Sequence, residues 1–119
     1  MTEDFDAHVR SGIQIGEDRY IHLSYWTGRG EISLPADKEP EEGWVLIGLH
    51  EDHKKKDGFW CGGYVHFKNV PEALEADKIF ATESKHELIS ENPLTVEPSL
   101  QCRGCPSHGH IREGRWTDA

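Results

Sequence analysis

Cysteine, basic charge and long apolar runs are all scarce in this chain, and each shortage excludes something. Three cysteines stand among 119 residues. An odd number cannot form a complete intrachain disulfide framework, so reduced thiols in a reducing compartment are the simpler expectation. The stretch Met1-Thr2-Glu3-Asp4-Phe5-Asp6 is acidic and has no apolar signal core. No run approaches the ~20 apolar residues needed to span a bilayer, so no membrane association is expected. Thirteen Lys and Arg face 22 Asp and Glu, for a formal charge of -9. Direct nucleic-acid binding calls for the opposite sign and is not expected. Hydrophobic residues make up 35% of the chain, and the mean hydropathy is -0.70. A core built from so little apolar material is modest. Catalytic signatures are missing too: there is no His-Glu-x-x-His, no nucleophile elbow, no phosphate-binding glycine loop, and no His-x-Glu paired with Pro-Cys-x-x-Cys.

What is present is concentrated near the carboxyl end. Cys102-Arg103-Gly104-Cys105-Pro106-Ser107-His108-Gly109-His110 packs two thiols and two imidazoles into one short stretch. Zinc takes four such ligands in a tetrahedron, and a Cys-x-x-Cys turn brings both sulfurs to one ion. Gly104 gives that turn backbone freedom, and Pro106 stiffens its exit. His108 follows at a spacing from which the chain can bend back. A chelate using all four side chains of so short a stretch is sterically hard, so at least one ligand is expected from elsewhere, His86 or Cys61. The competing readings are a redox pair or two ordinary loop cysteines. The glycines and proline disfavour the helix start on which a thioredoxin-type pair sits. The predicted cofactor is structural Zn2+. Binding an ion to the folded form adds to the stability of a small chain.

The rest of the chain reads as strands. Residues 1–11 are polar and read as a loose arm, with Phe5 and Val9 at helical spacing over too short a span to define a helix. Ile13-Gln14-Ile15 is a short alternating piece. Residues 19–26 alternate well, and Thr27-Gly28-Arg29-Gly30 turns the chain into a second strand at 31–34. His22 reads as a strand-surface residue. Residues 35–43 form an acidic loop with two prolines. Residues 44–49 are the most apolar run and predict a central strand. His50-Glu51-Asp52-His53 then invites a metal reading but lacks its helical spacing; beside Lys54-Lys55-Lys56-Asp57-Gly58 it reads as a charged hairpin tip. Residues 59–67 form the next strand, with Cys61 on its apolar parity as a small buried hydrophobe. Residues 69–77 can start a short helix capped by Asn69. Residues 84–90 and 94–100 predict a strand pair that brings His86 toward Cys102, and 109–112 with 115–117 a final hairpin. The expected fold is mainly β: a small antiparallel sheet or sandwich-like single domain, 1–119, with a zinc knuckle and hairpin in a metal-binding part at 84–117, and at most one short helix.

The same region carries a resemblance. Leu94-Thr95-Val96-Glu97-Pro98-Ser99-Leu100-Gln101-Cys102-Arg103-Gly104-Cys105, then His108-Gly109 and Ile111-Arg112-Glu113-Gly114-Arg115-Trp116, resembles a signature of small proteins of actinobacterial phages and their hosts. That pattern runs L-T-x-x-P-S-L-x-C-x-x-C-x-x-H-G-x-I-x-x-G-x-W, commonly with a histidine upstream where His86 stands. It covers about the last third of the chain. The resemblance implies a phage origin, a metal knuckle of Cys102, Cys105 and His108, and His86 rather than His110 as fourth ligand. It implies no reaction.

Three functions are compatible with these features. The favoured one is a noncatalytic, zinc-stabilised protein that binds another protein, a host factor or a virion component, and resides in the host cytoplasm or the virion. A metal-dependent hydrolase needs an open coordination position and a base, such as Glu87 or Glu51. An acidic inhibitor of a nucleic-acid-binding defence protein needs its carboxylates on one face.

Overall fold

The computed structural model describes residues 2–119. Along the chain run α1 (Thr2–Arg10), β1 (Ile13–Gly16), β2 (Arg19–Trp26), β3 (Glu31–Leu34), β4 (Val45–Lys54), β5 (Trp60–His66), α2 (Pro71–Phe80), β6 (Glu87–Glu91), β7 (Leu94–Gln101), β8 (His108–Arg112) and β9 (Arg115–Asp118). The protein is mainly β, with two antiparallel sheets and two short helices. The first sheet has the order β1-β2-β4-β5, with β3 also paired to β2; the second has the order β6-β7-β8-β9.

Strand alternation decides what each face of the first sheet meets. On its inner face, Ile21, Leu49, Val65 and Phe67 are buried against Leu94, Val96, Leu100 and Ile111 of the second sheet. Fully burying a side chain such as Phe67 is worth roughly 1.5–3 kcal/mol. A register shift between β2 and β4 pairs Ser24 with Gly48 but Tyr25 with Leu46. The extra residue, Ile47, therefore turns to the outer face, where it packs on Ala73 and Ala76 of α2. In β7, Leu94, Val96 and Leu100 are buried on the inner face, while Pro98 sits where the register to β8 shifts.

Four expectations are corrected. Thr2–Arg10 is a helix rather than a loose arm. It is tied down by the fully buried Val9 and by Asp6, which accepts from Trp60 Nε1 at 3.1 Å and pairs with Arg10 at 2.9 Å. His22 is not on the surface: it is 2% exposed, stacked on His8 with ring centroids 4.8 Å apart. The helix at 71–80 begins after Val70, with Pro71 in its first turn; Asn69 instead bridges the N–H and C=O of Leu88. And the strand expected to end at Leu49 runs on to Lys54, so His50-Glu51-Asp52-His53 lies inside β4, with Glu51, Asp52 and His53 buried. The hairpin tip is the Lys55–Phe59 turn, closed by Lys55 N–H to Phe59 C=O at 2.8 Å and by Gly58 at a φ of +89°.

Candidate metal centre

The charged end of β4 is buried because its side chains find partners there, which removes the cost of burying them bare. In the β4–β5 ladder His53 stands directly opposite Cys61 and Glu51 opposite Gly63. Residues paired across a ladder share a face, so His53 and Cys61 both look toward the second sheet. There the loop 102–107 joins β7 to β8, closed on itself by Cys102 N–H to Ser107 C=O at 2.9 Å. It presents Cys102 and Cys105 to the pair on the first sheet.

The result is a group of four. One ligand atom each of His53, Cys61, Cys102 and Cys105 lies within 4.8 Å of all the others. Cys61 Sγ is 3.2 Å from Cys102 Sγ, and His53 Nε2 is 2.9 Å from Cys105 Sγ. A tetrahedral zinc with Zn–S of about 2.3 Å and Zn–N of about 2.0–2.1 Å separates its ligands by roughly 3.5–3.8 Å. The four atoms span that separation, and a metal ion fits among them with small movements of the side chains. Gly104 passes close to the Cys61 thiol: a Cβ on it would stand 3.1 Å from Cys61 Sγ, a tight contact that would shift the sulfur by a few tenths of an ångström.

A second set of groups aims the histidine. Glu51 takes His53 Nδ1 at 2.9 and 3.0 Å through its two oxygens, so Nδ1 carries the proton and Nε2 is left to face the sulfurs. Carboxylates in this position behind a metal-binding histidine fix its tautomer and raise its basicity. Arg19 holds Glu51 in turn at 2.9 Å, reaches Ser107 Oγ at 2.9 Å with its other terminal nitrogen, and lies 3.7 Å over the ring of Trp116. One guanidinium thus joins β2, β4, the cysteine loop and β9.

These contacts set the metal-free titration. The Glu51 carboxylate, against the opposing effect of burial, lifts His53 to about 9, with Cys105 adding to the rise. Burial raises the Cys105 thiol, but the hydrogen bonds from His53 and from the Ser107 backbone outweigh it and bring it down to about 7. Cys61, bonded to Cys102 and partly desolvated, is pushed up to about 11. Metal ligation needs the thiolate and the neutral imidazole, so an ion binding here would replace protons.

Of the residues expected as ligands, Cys102 and Cys105 are in this group, as is Cys61, the alternative donor. His86 and His108 are elsewhere: both turn to Ser99, His86 Nε2 to its carbonyl at 3.2 Å and His108 Nε2 to its hydroxyl at 2.7 Å. His110 lies in β8 with a buried, unbonded Nδ1, also outside the group. His53 was missed because its neighbours read as a surface turn. The signal that could have found it is hairpin arithmetic: counting outward from the middle of the Lys55–Phe59 turn places position 53 opposite 61. Compared with models of known protein families, with curated proteins and with solved structures, the chain matches none.

Proposed function

We propose that this protein is a zinc-stapled, noncatalytic domain that works through protein–protein binding. The observation that supports it is the donor set: three sulfurs and one imidazole lie close enough together to fill the four positions of a tetrahedral ion, which would leave none for water or substrate. A hydrolytic site keeps such a position open. It also needs a free base, whereas Glu51 is engaged by both His53 and Arg19. Glu87, the other candidate base, is paired at the surface with Lys68 at 3.7 Å. The sequence signature adds a phage setting, with a host factor or a virion component as partner.

Metal analysis and melting of the purified protein test the staple. About one zinc per chain is expected, and Cys102→Ser or Cys105→Ser should lower zinc content and melting temperature together. Unchanged zinc and unchanged melting in either variant would remove the staple.

A further inference from the structure

We propose that the outer edge of β5 binds an extended peptide of a partner protein as an added strand, with a carboxylate on that peptide held by Lys85 and Arg103. This rests on the stapled, protein-binding reading above and names the partner's chemistry.

The phase of the β4–β5 ladder shows which backbone groups are free. Phe67 N–H donates to Ile47 C=O at 2.9 Å, and the register descends from there in steps of two through Leu49↔Val65, Glu51↔Gly63 and His53↔Cys61. Alternate residues of an antiparallel strand turn their amides to the same side. Cys61, Gly63 and Val65 therefore bond to β4, while Gly62 and Tyr64 present both N–H and C=O outward. Among the described residues no backbone group meets them there, and β5 ends the strand order of its sheet. Gly62, Gly63 and Tyr64 are exposed, and the two glycines hang no side chain over the backbone. Edge strands are commonly blunted by a lysine, a proline or a bulge; Trp60–His66 has none of these.

This edge faces a groove rather than open solvent. The cavity measures about 1360 Å³, and Ser99–Arg103 with part of 80–86 form its far wall. At one end Phe67 pairs with His86, and Lys68 N–H donates to His86 C=O at 2.7 Å. At the other end Cys61 meets Cys102. The stretch between, residues 62–66, spans about 17 Å at ~3.4 Å per residue. The contacts at its two ends confine the free edge to this stretch. The far wall hinders edge-to-edge pairing of two copies of this chain, which needs the edge open on both.

Charge selects the strand. Among the carboxylates lining the groove, Glu31 is bonded to His66, and Glu51 to Arg19 and His53. Lys85 and Arg103 are exposed on the far wall and make no ion pair among the described residues, against Glu83 as the one unpaired acid. Two free cations beside free strand amides favour a backbone that brings its own carboxylate.

The test begins with protein whose zinc content has been measured, panned against a random-peptide display library; the best binder is then synthesised and titrated by fluorescence anisotropy. Carboxylate-bearing binders are expected, with slowed amide exchange at Gly62 and Tyr64 in the complex. Tyr64→Pro removes an outward N–H without removing a ladder bond, so it should weaken binding about tenfold relative to Tyr64→Ala, as loss of one hydrogen bond does. Arg103→Glu, outside the strand, should weaken it comparably with zinc and melting retained. Zinc-loaded protein that selects no peptide overturns the edge site and leaves the staple standing. So does a binder equally tight to Tyr64→Pro and Tyr64→Ala, or self-association through β5 in place of peptide. Protein that holds no zinc yet binds such peptides at Gly62 and Tyr64 overturns the staple and supports the edge site.

Discussion

Glu51 stands behind the four candidate ligands and orients one of them. It fixes the proton of His53 on Nδ1, holds Arg19, and through Arg19 reaches the cysteine loop at Ser107. Glu51→Gln keeps the shape and all four ligands but loses the charge that keeps His53 basic. Groups in this role change metal affinity about 10–100-fold. A loss of that size is expected in competition with a zinc-binding dye, with stoichiometry retained at saturation; an unchanged affinity would show that the carboxylate does not act on the metal. His86→Ala and His108→Ala should leave affinity unaltered, since both side chains bond to Ser99.

Between elements, a second histidine does for the outer face what His53 does for the inner. His66 at the end of β5 holds β3 on one side by donating to Glu31, at 3.0 Å, and α2 on the other by donating to Asp77, at 2.9 Å. Glu31 raises its pKa, burial opposes the rise, and Asp77 adds to it. A raised folded value means that protonated His66 stabilises the fold fully below the unfolded value, about 6.5, and that this contribution is lost as pH rises through the folded value. Glu31→Gln should therefore lower the melting temperature most near about pH 5–6 and progressively less toward alkaline pH. A penalty independent of pH would contradict this assignment. Most strands were legible because their alternation is clean: Ile21 and Leu23 on β2, Leu94, Val96 and Leu100 on β7. The cysteine turn was legible because its ligand spacing is local. The two donors on the first sheet were not fully legible, because His53 and Cys61 meet through register, which local sequence does not encode. Charged residues in the second half of β4 break the apolar pattern that marks its first half, and partners distant in sequence are what allow their burial. The amino-terminal helix was missed for a related reason. Its anchors, Trp60 and Tyr20, lie outside the short window in which Phe5 and Val9 could be weighed.

At the scale of the molecule, the two sheets share one apolar interface and one polar clasp. The interface runs from Ile15 to Ile111 and is built from few large side chains. The clasp stands beside it, with His53 and Cys61 from the first sheet and Cys102 and Cys105 from the second sheet's loop. An ion bound there would tie the sheets together with bonds that a modest hydrophobic core does not supply, and would close one end of the groove along β5. X-ray absorption at the zinc edge of the loaded protein measures this clasp directly. Three sulfurs at about 2.3 Å and one nitrogen at about 2.0–2.1 Å are expected. Two sulfurs with two nitrogens, oxygen in the first shell, or no bound zinc would contradict it.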